Sequence, residues 1–144
     1  MPYLNMPPGK DIVDVTAAIL VHDGKLLIAR RKSGQKLAGK WEFVGGKMEP
    51  GESAEECLRR ELEEELGIEA TVGRFFGESI HEYDHLEVRL LAYVAWAGQG
   101  AIRLRDHDLF RLVEINELAG YDFAPADIPF VKQLEKEGLK EFTQ

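Results

Sequence analysis

Apolar positions along the 144-residue chain fall into short runs separated by turn residues, with two stretches at helical spacing. Residues 1–10 hold three prolines and read as an irregular lead-in. Ile12 to Val21 is rich in Val, Ile and Ala and reads as a strand, Asp23-Gly24 as a two-residue hairpin turn, and Lys25 to Arg30 as the returning strand. Trp41 to Val44 reads as a short strand leading into the glycine-rich loop Gly45-Gly46-Lys47-Met48-Glu49-Pro50-Gly51. Further strands are expected at Glu69 to Phe76 and Leu86 to Trp96, around a polar turn at His81 to His85, and at Leu109 to Ile115. Gly98-Gln99-Gly100 marks another turn. Asn116 to Ala119 suits a helical turn, and Ile128 to Glu137 a last helix with Phe130, Val131 and Leu134 inward. Strands and helices mix without strict alternation, which predicts an α+β fold: a mixed sheet with helices on both faces.

The stretch Ala54 to Leu66 is the strongest helix. Ser53 suits the N-cap, Glu56 completes a capping box, and Gly67 suits the left-handed C-terminal position. At about 100° per residue, Ala54, Leu58, Leu62 and Leu66 form one apolar stripe with Cys57 at its edge. Glu65 falls inside that stripe, Glu61 lies beside Ala54, and Glu64 lies just beyond Cys57, whereas Arg59 and Arg60 project from the other side. Acids turned inward need neutralisation or a cation. An all-oxygen set suits Mg²⁺ or Mn²⁺. The wheel alone leaves a second reading open, a solvated charged helix with pairs such as Arg60–Glu64.

The net charge of −8 argues against binding a nucleic-acid polymer. Much of the charge is local, since seven of the fourteen residues from Glu52 to Glu65 are Glu, so a nucleotide would need metal screening to bind there. Cys57, the single cysteine, reads as a core thiol in a reducing interior. No apolar run is long enough to span a membrane and no signal pattern opens the chain, which predicts a cytoplasmic protein. The length suits one domain over residues 1–144. The basic loop at Arg30, Arg31, Lys32, Lys36 and Lys40 either balances the acidic helix or contacts phosphates, and Lys47 is a second phosphate candidate.

Written as a pattern, the central stretch is Gly46, five residues, Glu52, seven residues, Arg60-Glu61-Leu62, one residue, Glu64-Glu65, one residue, Gly67-Ile68. This resembles the Nudix box with every fixed position filled. The resemblance implies an α/β/α sandwich and an enzyme that hydrolyses a nucleoside diphosphate linked to another moiety, with Mg²⁺ or Mn²⁺ as cofactor. It implies metal binding by the Gly45 carbonyl, Glu61, Glu64 and Glu65, orientation of Glu61 by Arg60, and an auxiliary role for Glu52. Glu61 is the first choice as general base. Asp106 is the alternative, although Asp106 to Asp108 also reads as a solvated turn.

Two stretches outside the box bear on the substrate. Lys40 to Lys47 resembles the segment before the box in MutT-type triphosphate pyrophosphohydrolases, with Val44 in place of the usual Pro. Phe43 would then wall a base pocket, or serve as a plain core aromatic. Phe123-Ala124-Pro125-Ala126-Asp127-Ile128-Pro129 resembles a segment of the bacterial CTP pyrophosphohydrolase branch, and Glu69 to Gly73 fits that branch too. An ionised Asp127 accepts hydrogen bonds and so suits the cytosine amine; as a helix N-cap it would need no ligand. The resemblance therefore implies pyrophosphohydrolysis of CTP, dCTP or modified deoxycytidine triphosphates. The alternatives are 8-oxo-dGTP hydrolysis or a catalytically silent nucleotide-sensing module. Other branches fit less well: the chain has no Pro between Pro50 and Pro125, and His85 stands where the dinucleoside-polyphosphate branch has Tyr. The expected partner is a small nucleotide, and a homodimer stays open.

Overall fold

The computed structural model describes residues 11–83, 86–98 and 100–143. The irregular lead-in, the tip of the turn at His85, and Gln99 lie outside the described residues.

Strand β1 (Asp11–His22) is central. It meets β2 (Lys25–Arg31) antiparallel beside the Asp23-Gly24 turn, whose residues have φ of 52° and 72°, as a primed hairpin turn requires. Its other edge runs parallel to β5 (Leu86–Ala97), from Asp11 opposite Leu86 to Val21 opposite Trp96. β4 (Ala70–Tyr83) pairs antiparallel with β5, and β6 (His107–Val113) with β2. Beyond their hairpin β1 and β2 diverge, and residues 41–47 fill the gap. β3 (Trp41–Glu42) pairs with β2, and the carbonyls of Val44 and Gly46 then accept the amides of Ala18 and Thr16, both at 2.8 Å. This insertion sets the glycine-rich loop into the sheet itself.

Period-two alternation divides the core into two layers. Ala17, Ile19 and Val21 of β1, with Leu26 and Ile28 of β2, pack under α2 (Ile128–Glu137) through Phe130 and Leu134. Ala18 and Leu20, with Leu27 and Ala29, pack under α1 (Ala54–Leu66) through Leu58, Leu62 and Leu66. Each such leucine contributes about 1.5–3 kcal/mol by burial. The result is the expected α/β/α sandwich with a mixed sheet. Among the described residues no helix is long and apolar enough to cross a membrane.

Three expected boundaries shift. β3 ends at Glu42, because Phe43 onward leaves β2 for β1. β4 continues through His81, Glu82 and Tyr83, opposite Val88, Glu87 and Leu86; its polar residues line a strand rather than a turn. β6 starts at His107, so that residue belongs to a strand and is buried, not part of a solvated turn. Short 3₁₀ segments occupy Ile115–Gly120, Pro125–Asp127 and, unforeseen, Lys140–Thr143.

Candidate active site

The start of α1 is built as its sequence requires. The Ser53 hydroxyl accepts the Glu56 amide at 3.1 Å, and the Glu56 carboxylate accepts the Ser53 amide at 2.9 Å. Gly67 ends the helix at φ 68°. The two glycines ahead of the helix are needed for space. A Cβ on Gly45 would overlap the backbone of Thr16, and one on Gly46 would overlap the Glu61 carboxylate. Gly46 and Val44 spend their carbonyls on β1, so the intervening Gly45 carbonyl points away from it.

Arg60 organises one side of the cleft. Its Nε and Nη2 donate to the two oxygens of Glu52 at 2.7 and 2.9 Å, and Nη1 donates to Glu61 at 2.9 Å and Glu64 at 3.3 Å. Nη2 also reaches the Lys47 carbonyl at 3.2 Å. This corrects the wheel, which sent Arg60 to the far side. A long helical side chain leans back toward the preceding turn, and its head reaches acids that its Cα does not face. The forked ion pair holds the Glu52 carboxyl down at about 2. Burial pushes the Glu61 carboxyl above its ordinary range, against the pull of Arg60.

On the other side of the cleft, Arg31 donates to Glu42 rather than to Glu65. Glu65 is 8 % exposed, and burial followed by its hydrogen bond to Asp106 pushes its carboxyl up to about 7. Asp106 moves the opposite way because it accepts from Glu65. His107 lies between Glu42, with Nε2 2.8 Å from Oε2, and Glu65, with Nδ1 4.0 Å from Oε2. Together with Gly45, Gly46, Lys47, Glu61 and Arg31, these residues line a cleft of about 180 Å³. Its donors are carboxylates and a carbonyl, the hard oxygen set that suits a divalent cation. Among the described residues no three acidic, His or Cys side chains yet converge on one metal position; Glu61 and Glu64 are drawn to Arg60 instead.

A second hollow of about 110 Å³ adjoins the first, sharing Arg31, Glu42, Gly45 and Gly46 as walls and adding Phe43, Leu90 and Asp127. Asp127 is 5 % exposed and makes no capping bond to α2. Its Oδ1 accepts the Phe43 amide at 3.0 Å instead. Burial, with the charge of Glu42 next, pushes its carboxyl well above the ordinary range. Burial thus works against the expected ionised acceptor and favours the protonated acid, which donates as well as accepts.

A sequence profile of the NUDIX domain matches residues 12–134. The chain belongs to the Nudix family. It is 40% identical over 121 residues to the CTP pyrophosphohydrolase of Escherichia coli strain K12, covering 84% of this chain and 90% of that one. It is 36% identical over 125 residues to a putative 8-oxo-dGTP diphosphatase 2 of Mycobacterium tuberculosis H37Rv, covering 85% and 87%. Among solved structures, the solution structure of the E. coli ORF135 protein superposes with a TM-score of 0.78 at 36% identity, covering 92% of this chain and 94% of that one. MutT from Methanosarcina mazei Go1 does so at 0.81 and 26% identity, covering 91% and 98%. This Nudix protein is thus a hydrolase acting on acid anhydrides, a nucleoside triphosphate pyrophosphohydrolase of a family that uses a divalent metal.

Of the Nudix residues expected from sequence, Gly45, Lys47, Glu61, Glu65 and Asp106 line one cleft, Phe43 and Asp127 line the adjoining hollow, and Glu52 and Arg60 brace the cleft from outside. Glu64 is exposed at the rim rather than turned inward. Arg30 is not brought to the site. It shares the α2-facing side of β2 with Leu26 and Ile28 and forks onto Asp108 at 2.8 and 2.9 Å. One residue later, Arg31 shares the α1-facing side with Leu27 and Ala29 and lines both hollows. Sequence reasoning named Arg31 only as one of the basic loop, and it missed Glu42 and His107. A strict period-two reading of Leu27, Ala29 and Arg31 singles Arg31 out; nothing local marks His107. Cys57 is the core thiol expected, pushed up to about 11 by burial and set against the Thr16 hydroxyl at 3.3 Å.

Proposed function

We propose that this enzyme hydrolyses CTP, dCTP or modified deoxycytidine triphosphates to the monophosphate and pyrophosphate. The observation that carries the base assignment is the buried Asp127 carboxyl lining the second hollow, with Oδ1 on the Phe43 amide. In the protonated form that burial favours, its O–H and carbonyl match the adjacent ring nitrogen and amine of cytosine, one accepting and the other donating. Phe43 supplies a flat apolar wall beside it. The similarity to the E. coli CTP pyrophosphohydrolase supports the same reading.

A divalent cation, Mg²⁺ with Mn²⁺ as substitute, would be held by the Gly45 carbonyl, Glu61, Glu64 and Glu65, and would neutralise charge on the phosphate oxygens. Lys47 and Arg31 pair with the same oxygens. Arg60 keeps Glu61 oriented from behind, with Glu52 anchoring Arg60. Water attacks phosphorus, its proton passes to Glu61, and the bond to the leaving pyrophosphate breaks. Every residue involved comes from one chain, so the reading needs no second copy.

Hydrolysis of 8-oxo-dGTP is the second reading, favoured by the diphosphatases named for it among the relatives. Pyrophosphate release with Mg²⁺ across a panel of canonical and oxidised triphosphates decides. A kcat/KM for cytosine triphosphates above that for 8-oxo-dGTP is expected; the reverse order overturns the base assignment.

A further inference from the structure

His107 is 6 % exposed and flanked by two acids. Glu42 holds Nε2 at 2.8 Å, and Arg31 in turn holds Glu42 at 3.2 and 3.3 Å, so the ring plane is braced from behind. The other nitrogen, Nδ1, is the only fully buried side-chain nitrogen or oxygen among the described residues that lacks a hydrogen-bond partner. It lies 4.0 Å from Glu65 Oε2. An orphan of this kind is costly, because the nitrogen has lost water and gained no partner. A methyl-bearing side chain would fill the same space without that cost. A polar ring aimed at one oxygen of a cleft acid, and stopped about one ångström short of a hydrogen bond, is accounted for by a small movement of Glu65.

We propose that His107 is a positioning residue for Glu65: with both ring nitrogens as N–H donors, Nε2 anchored on Glu42 and Nδ1 donating to Oε2 of Glu65 when the cleft takes up its cation, it selects the oxygen and rotamer that Glu65 presents. The proposal rests on the reading of Glu65 as a cation ligand. Groups behind a ligand that fix its orientation commonly carry 10–100-fold of the metal affinity.

The test is Mn²⁺ binding to the substrate-free protein, followed by the EPR signal of the free ion. His107→Leu, which keeps the volume, should weaken Mn²⁺ binding about 10–100-fold. His107→Gln, whose amide restores a polar partner, should recover most of the loss. Glu42→Ala, which leaves the imidazole but frees its ring, should weaken binding in the same direction. Wild-type affinity in a natively folded His107→Leu, or a His107→Gln as weak as the leucine variant, overturns the proposal. Should the leucine variant not fold, wild-type affinity in Glu42→Ala overturns it equally. Glu65→Gln separates the two layers of the argument. Unchanged Mn²⁺ binding there removes the ligand assignment itself, whereas loss there with none at His107 removes only the positioning role.

Discussion

Glu65→Gln replaces a buried cleft acid by its uncharged isostere, and its effect on stability follows from the site. Burial and the bond to Asp106 raise the Glu65 carboxyl from 4.5 to about 7. The folded chain therefore binds a proton that the unfolded chain has already released between those two values. Where the native state holds more protons, stability falls as pH rises. At about 1.4 kcal/mol for each pH unit, ionised Glu65 costs the metal-free fold about 3 kcal/mol above pH 7 and nothing below pH 4.5. The amide does not titrate, and its NH₂ still donates to Asp106. Urea unfolding in EDTA should show Glu65→Gln gaining on wild type by about 3 kcal/mol between pH 4.5 and pH 8. A saturating cation should then erase the advantage, because it stabilises only the chain that binds it. The same variant should lose turnover by several orders of magnitude. Stability curves for the two proteins that run parallel across this pH range would refute the argument.

Gly46→Ala should leave the fold intact but displace Glu61, lowering kcat at least 100-fold. Gly45→Ala should instead lower the melting temperature, because its Cβ meets the Thr16 backbone and nothing soft can yield. Arg60→Gln should destabilise the protein more at pH 7 than at pH 3.5. The Glu52 carboxyl that Arg60 holds down contributes above its ordinary value near 4.5 and loses that contribution as pH falls toward 2, so the melting temperatures of wild type and variant should draw together at pH 3.5. Asp127→Asn should shift preference from cytosine toward 8-oxoguanine triphosphates; an unchanged ranking across the substrate panel would leave Asp127 only its bond to Phe43.

The legible parts of the site were those whose causes lie close together in the chain. The capping box at Ser53 and Glu56, the left-handed Gly67 and the burial of Glu65 all follow from a stretch of one helix. Arg60 was misplaced because a helical wheel tracks Cα directions, and a guanidinium acts where its long stem ends. Arg30 and Arg31 stood together in one basic loop, and strand alternation sends only the second toward α1. Glu64 was placed inward with its neighbours, yet one more step around the helix carries it to the rim.

By itself the amino-acid sequence determined the box, its helix, the alternation of two core layers and hence the family, because each depends on spacing along the chain. Only the tertiary structure decided which distant groups face the acids. It brings Asp106 and His107 to Glu65 through the pairing of β6 with β2, and it joins Asp127 to the amide of Phe43 across 84 positions. Those contacts set the proton affinities of the site, since burial and neighbouring charge depend on what packs around a group, and no local pattern records that.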